Sequence, residues 1–152
     1  MDENKLKELF NNKNVKIVNH KLLELYNSKK EVIDKISKAF ENNKVINPTT
    51  GKEMTLVFHS SCIPHNYKEM THKILIVGQE TNGWVFKENA KESMLFTLGF
   101  LYSPQHNDKP SFTFPFEFCK SINNYNYDEN YIKTYFAWVS LRKFAYNENH
   151  GE

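Results

Sequence analysis

The sequence is poor in cysteine and arginine, and it contains no long hydrophobic run. Two cysteines in 152 residues exclude a disulfide-stapled scaffold, since such domains are dense in cysteine. No apolar stretch of about 18 residues and no basic-then-apolar leader is present, so we expect a cytoplasmic protein that does not enter membranes. Arg142 is the only arginine among 20 basic residues. Asparagine is frequent in every segment without a common spacing, and we interpret that bias as compositional drift.

The remaining composition favours one folded α/β domain over residues 1–152. Aromatic residues make up 14% of the chain, which argues against disorder because disordered segments contain few aromatic rings. The length of 152 residues is typical of a single domain. The net charge is only +2, so a surface that binds nucleic-acid phosphates would have to be local.

Apolar spacing predicts a helical region over residues 1–44. Leu6, Leu9 and Phe10 repeat at helical spacing, and a second stripe from about Asn19 to Asn42, bent near residues 27–28, predicts a helix that faces the core. Residues 88–101 show helical spacing again. A further helix is predicted to begin behind Pro115 and to run to Ile122.

Apolar runs of strand length predict a short, mostly parallel sheet within residues 45–152. Residues 54–59 form one candidate strand, and residues 135–141 (YFAWVSL) form another. The clearest run is residues 73–77 (KILIV), closed by Gly78. Its continuous hydrophobicity predicts a central strand that is buried on both faces, as in a parallel sheet covered by helices. Helices that alternate with such strands indicate an α/β fold.

The loop after this strand, residues 78–84 (GQETNGW), is the first candidate site. Ligands of open parallel sheets bind beyond the carboxyl ends of the strands. Gly78 permits a close backbone approach, Glu80 offers a carboxylate that can activate water, and Gln79 and Asn82 offer amides that can read a polar heterocycle. An ordinary strand-to-helix loop, whose Asn and Thr cap the next helix, explains the same composition.

Residues 73–84 (KILIVGQETNGW) resemble the first active-site motif of the uracil-DNA glycosylase-like superfamily. In that family a buried strand runs into a Gly-Gln-Asp/Glu loop that carries the water-activating acid. Residues 112–122 (FTFPFEFCKSI) are similar to the aromatic helix entry after that motif, and residues 135–144 (YFAWVSLRKF) are similar to the next strand of the family. The resemblance spans residues 45–146 and implies a glycosylase-like fold, DNA as partner, a role in DNA repair and no cofactor.

The resemblance also implies roles for individual residues. Glu80 would position the hydrolytic water, and Gln79 would contact a flipped base. Asn82 would contribute to the same pocket, as would a stacking ring drawn from the aromatic candidates Trp84, Phe86, Phe114 and Phe116. Ser140 stands where the family has a base-reading Asn, and a hydroxyl cannot reproduce both the donor and the acceptor of an amide.

The family's second motif, a His loop that stabilises the departing base, has no clear counterpart, since His150 is the only histidine near that end of the sequence. Loss of such a donor removes about 3 to 4 kcal/mol of transition-state stabilisation. We therefore carry two expectations: hydrolytic base excision with Glu80 as the acid, or a non-catalytic module of the same fold that binds nucleotides or proteins. In the second case a second copy or another chain would complete the sheet edge.

Residues 59–65 (HSSCIPH) are the competing constellation. His59, Cys62 and His65 are of types that bind zinc, which would suit a small metal-dependent hydrolase. Their spacing matches no familiar zinc pattern and the chain has no CxxC pair, so we assign no metal site. Both Cys62 and Cys119 are interpreted as buried, inert residues.

Overall fold

The structure is a computed structural model that describes residues 1–78, 89–140 and 144–148. Six α-helices and a short 3-10 helix, Glu129–Thr134, are present in these residues. The α-helices are α1 (Glu3–Phe10), α2 (Lys16–Ser28), α3 (Lys30–Asn42), α4 (His65–Glu69), α5 (Ala90–Leu101) and α6 (Pro110–Ile122). The strands are β1 (Met54–Phe58), β2 (Leu75–Gly78), β3 (Ala137–Ser140) and β4 (Phe144–Glu148).

The predicted helical region at residues 1–44 is confirmed as three helices. Asp2 caps α1, since its carboxylate accepts a hydrogen bond from the Lys5 amide at 2.9 Å. The predicted bend near residues 27–28 is the junction of α2 and α3 at Lys29. The predicted core-facing stripe is confirmed only in part for α3, where Ile33 and Phe40 are half-buried but Val32 and Ile36 are exposed and no residue is fully buried.

The described strands form two separate pairs. β2 and β3 are parallel, with Gly78 opposite Ser140, whereas β1 and β4 are antiparallel. The mixed α/β class is therefore confirmed, but only one of the two pairs is parallel, and the prediction of a mostly parallel sheet is corrected accordingly. The antiparallel pair was missed because residues 144–148 (FAYNE) alternate too weakly to be recognised as a strand.

The continuous apolar run of β2 predicted burial on both faces of the strand, and this prediction is wrong. Leu75 is 57% exposed and Val77 is 51% exposed, whereas the alternate residues Ile76 and Gly78 face inward and are partly buried. The alternation follows from the strand itself, because successive side chains point to opposite faces. The apolar run thus produced one inward face and one solvent-facing apolar face.

Two hydrophobic clusters form the core, and α5 contributes to both. The first joins α1, α2 and α5 around Phe10, Tyr26, Met94 and Leu98. The second joins α6 and the 3-10 helix to the β2–β3 pair, and Phe100 of α5 packs against it. Its buried members are Met70, Phe112, Phe116, Cys119, Ile132, Tyr135 and Phe136. This second cluster supports the side of the sheet on which the candidate site lies.

Buried asparagine amides tie distant segments together. Asn19 accepts a hydrogen bond from the Ile63 amide at 2.8 Å and donates to the Ile63 carbonyl at 3.1 Å. Asn123 likewise accepts a hydrogen bond from the His72 amide at 2.7 Å and donates to the His72 carbonyl at 3.3 Å. These two asparagines have structural roles, so compositional drift does not account for them. No helix within the described ranges has the length and apolar character that crossing a membrane requires.

Candidate functional site

A groove with a volume of about 1020 Å³ lies against the inward face of the β2–β3 pair. Ile76 and Gly78 of β2 and Trp138 of β3 form its floor, and residues of α5 and α6 form its sides. Gly78 is the last residue of β2, so the groove reaches the carboxyl end of the parallel pair. Ligands of open α/β sheets bind at this end of the strands, and the volume suits a ligand of nucleoside size or larger.

Five of the thirteen described lining residues of the groove are Phe or Trp. Trp138 and Phe112 meet edge to face, with ring centroids 6.2 Å apart, and Phe112 meets Phe100 at 5.7 Å. Phe96 and Phe114 line the groove as well. Flat rings of this kind stack on nucleobases without regard to their sequence. The groove therefore has the surface that a heterocyclic ligand needs.

The carboxyl end of the strand pair combines a close packing contact with a buried hydroxyl. A Cβ added to Gly78 would approach Nε1 of Trp138 to 3.1 Å, so glycine lets β2 pack tightly on the indole. Ser140 lies opposite Gly78 and, by strand alternation, on the same face as Trp138. Its Oγ is buried and has no hydrogen-bond partner within the described part of the chain. A buried polar atom without a partner is uncommon and calls for a functional explanation.

Phe114 and Phe116, which the sequence offered as alternative stacking rings, lie on different sides of α6. Phe114 lines the groove and is 74% exposed. Phe116 is buried in the second cluster, where its ring packs on Tyr127 and Tyr135, so its assignment to a ligand is wrong. The other candidate site residues, Gln79, Glu80, Asn82, Trp84 and Phe86, lie outside the described residues, as does His150.

The rim of the groove at the start of α6 is polar and basic. Gln105, His106, Lys109 and Ser111 line it. His106 adopts a left-handed backbone conformation with φ of 65°, which is uncommon for a residue other than glycine and occurs most often in tight turns and at functional sites. Within the described lining Lys109 is the one lysine and no carboxylate is present, although the exposed Asp108 lies next to Lys109 in the sequence. The rim therefore offers one cation, Lys109, to a negatively charged group of a ligand such as a nucleotide phosphate.

Behind this rim lies a buried lysine, Lys133 of the 3-10 helix. Its Nζ donates a hydrogen bond to the Gln105 carbonyl at 2.6 Å and lies 4.1 Å from the centre of the Phe100 ring. None of the described carboxylates forms an ion pair with it. Burial disfavours the charged ammonium and lowers the pKa of Lys133 to about 8. Lys133 thus ties the Gln105 segment of the rim to two aromatic walls, Phe100 and Phe112.

The low pKa of Lys133 predicts a pH dependence of stability. The group titrates near pH 8 when folded and near 10.5 when unfolded, so between these values the unfolded state binds more protons. The contribution of Lys133 to the free energy of unfolding should therefore rise from about pH 8 to about pH 10, by at most on the order of 3 kcal/mol. Urea unfolding of the wild type and of Lys133→Met across this range measures the difference.

The Lys133→Met variant is the matched control, because methionine keeps most of the apolar stem and removes the titrating amine. Burial also raises the pKa values of Cys62, Cys119 and Tyr127. These groups lower the stability of both proteins as the pH rises above about 9 for the thiols and about 10 for the tyrosine. The difference in pH slope between the wild type and Lys133→Met therefore isolates the effect of Lys133. Equal pH slopes for wild type and Lys133→Met below pH 10 would contradict the assignment.

The competing constellation at residues 59–65 is dispersed in the structure. The His59 ring lies 5.8 Å from the Trp138 ring, whereas His65 stacks on Tyr102. Cys62 is buried in the first cluster, its Sγ donates to the Met94 carbonyl, and burial raises the pKa of its thiol. In the part of the chain that the structure describes, no three His, Cys, Asp or Glu side chains come together to hold a metal ion.

Most residues of the groove were missed by the sequence reasoning, and Trp138, His106 and Lys109 are the three that the binding argument uses. Trp138 could have been found, because it stands two residues before Ser140 in a predicted strand and alternation puts both on one face. His106 and Lys109 had no such signal, since they precede the predicted helix in a polar segment. Their position depends on α6 beginning at Pro110.

Comparisons with known proteins add no assignment to this geometry. The chain matches no protein-family model, and neither the curated proteins nor the solved structures contain a match to it. Function is therefore inferred from the residues of the groove and from the sequence that follows β2.

Proposed function

We propose that this protein removes a base from DNA by hydrolysis of the N-glycosidic bond, in the manner of the uracil-DNA glycosylase-like superfamily that its sequence resembles. The observation that carries the proposal is the aromatic groove at the carboxyl end of β2, directly before the Gly78-Gln79-Glu80 sequence. A base must be extruded from the DNA stack and held between flat side chains before its bond to the sugar can be attacked.

The reaction assigns distinct tasks to the candidate residues. Glu80 orients a water molecule and accepts a proton from it while the water oxygen bonds to C1′ of the sugar. The C1′–N bond breaks, its electron pair leaves with the base, and the base is then protonated. Phe114 and Trp138 supply stacking surfaces, and the Ser140 hydroxyl supplies a hydrogen bond to the edge of the base. The products are a free base and an abasic strand.

The basic rim supports the choice of a nucleic acid. Lys109 and His106 stand at the open end of the groove, where they would meet the phosphates on either side of an extruded nucleotide. Contacts to phosphates supply most of the affinity for DNA and carry no sequence information. The net charge of +2 is small, so such local groups must provide the attraction.

Incubation with uracil-containing single-stranded DNA tests the proposal directly. We expect free uracil and alkali-labile abasic strands to accumulate together in equal amounts. Strands with thymine in place of uracil serve as the control for base selection. Absence of base release would overturn the proposal.

A second candidate function is binding without hydrolysis, and the lining of the groove favours it. The described lining supplies rings, amides and cations but no carboxylate. A groove with these groups alone holds a nucleotide without cleaving it. Strand binding at wild-type protein concentration, with no release of base on prolonged incubation, would select this function.

The exposed apolar face and the open edge of β2 support the expectation of a second copy or a completing partner chain. Leu75 and Val77 place apolar surface on a strand whose described partner is β3 alone. Strands with open edges pair readily with other chains. Sedimentation of the purified protein measures this association, and a monomer at high concentration would argue against a second copy.

A further inference from the structure

Helix α6 carries an outward row of apolar side chains that begins at the groove. Phe114 is 74% exposed, Phe118 is 49% exposed and Ile122 is 39% exposed. They stand at positions i, i+4 and i+8 and therefore form one line along the helix. The opposite face of α6 already supplies the second cluster through Phe112, Phe116 and Cys119. The outward row is thus not needed to build the core.

The spacing of the row suits a single strand of nucleic acid. Side chains four residues apart on a helix are separated by about 6 Å along its axis. Stacked bases of one strand are about 3.4 Å apart, and a ring inserted between two bases roughly doubles that step. Phe114 and Phe118 therefore have the separation that rings need to alternate with the bases of an extended strand.

The row is continuous with the proposed binding groove and begins at its basic rim. Phe114 belongs to both, and Lys109 and His106 stand beside the first turn of α6. The acidic residue nearest the row on this helix, Glu117, is paired with Lys120 at 3.4 Å. A strand that leaves the groove along α6 would therefore keep its phosphates near cationic groups at the groove end and its bases on the rings.

The size of the row argues against a protein as its occupant. With roughly 200 Å² for each large side chain, the exposed fractions leave about 300 Å² of apolar surface. A stable protein interface buries about 800 Å² on each partner, of which about 450 Å² is apolar. The row is too small for such an interface but large enough for two or three stacked bases.

We propose that Phe114 and Phe118, extended by the apolar side chain of Ile122, form a stacking track for single-stranded nucleic acid that enters the groove. This inference rests on the proposed function, because it extends the base-binding groove along α6. It narrows the substrate class from DNA in general to strands with unpaired bases. Stacking tolerates any base, so the track sets a preference for single strands and not for a sequence.

Fluorescence anisotropy with short labelled oligonucleotides tests the track. Phe118→Ala should weaken binding of a single strand by about five- to 150-fold, since stacking on one ring contributes about 1–3 kcal/mol. Phe118→Leu keeps an apolar side chain without a ring and should weaken binding similarly. Phe118→Tyr keeps the ring and should bind the strand as the wild type does. Ile17→Ala, at an exposed apolar residue of α2, is the matched control and should bind as the wild type does.

Binding of deoxyuridine monophosphate separates the failure of this inference from that of the proposed function. The mononucleotide is expected to contact the groove but not Phe118, so Phe118→Ala should bind it as the wild type does. If Phe118→Ala binds both the mononucleotide and the single strand as tightly as the wild type does, the track would be overturned and the groove assignment would stand. No binding of either ligand would overturn both. Equal affinity for duplex and single strand, or Phe118→Leu binding like the wild type, would also overturn it.

Discussion

Replacing Glu80 with Gln should lower the rate of base release by about 10²- to 10⁴-fold, the range that a positioned general base contributes. Glutamine has nearly the same size but can neither accept the proton of the attacking water nor carry negative charge beside C1′. Binding of the strand should persist, because the rings and cations of the groove remain. Single-turnover assays on uracil-containing single strands give the rate of the chemical step.

The matched control for this variant is Glu24→Gln, which removes an exposed carboxylate from α2, away from the groove. It should release base at the wild-type rate. Thermal unfolding should give similar midpoints for both variants, which shows that the fold is intact. Full base release by Glu80→Gln would mean that Glu80 is not the acid, and the proposed mechanism would then be wrong.

Replacing Phe136 with Ala should lower the free energy of unfolding by about 3–5 kcal/mol, the usual cost of truncating a buried phenylalanine. Phe136 is fully buried in the second cluster, immediately before β3. Its removal would leave a cavity beneath the strand that carries Trp138 and Ser140. Because domains of this size have only about 5–15 kcal/mol of stability, the variant should be marginal at physiological temperature.

Phe114→Ala is the comparison that isolates burial, since it makes the same chemical change on an exposed ring. Its free energy of unfolding should change by about 0.5 kcal/mol or less. Urea unfolding at one temperature measures both variants. Equal losses for Phe136→Ala and Phe114→Ala would contradict the division of these rings between core and groove.

Local signals were sufficient to predict most of the helices. Asp2 before α1 and Asn89 before α5 are capping residues that act within three positions of the amides they bind. The start of α6 was predicted too late, because the helix was expected to begin behind Pro115, at Phe116. The helix begins instead at Pro110 and contains Pro115, whose missing amide costs one hydrogen bond of the second turn.

This error explains why Phe114 and Phe116 were left as equal candidates. Residues two positions apart on a helix point in nearly opposite directions, so only one of them can face a ligand. With α6 beginning at Pro110, the spacing places Phe114 and Phe116 on opposite sides of the helix, and burial shows that Phe116 is on the side of the core. The exposed fractions agree with this assignment.

Contacts between distant segments could not be predicted from local sequence patterns. The Asn19 amide binds a backbone 44 residues away, and the Asn123 amide binds one 51 residues away. Lys133 reaches the Gln105 carbonyl across 28 residues. Nothing in the neighbouring sequence marks these polar side chains as buried, because their partners are brought to them only by the tertiary fold.

The two buried cysteines provide a built-in means of following local opening of the structure. Cys62 lies in the first cluster and Cys119 in the second, so each thiol reports on one half of the core. A thiol reagent modifies each cysteine only when its own cluster opens. Equal modification rates in dilute denaturant would mean that the two halves open in a single cooperative step. A faster rate at Cys119 would mean that the half beneath the groove opens by itself, as adaptable binding regions often do.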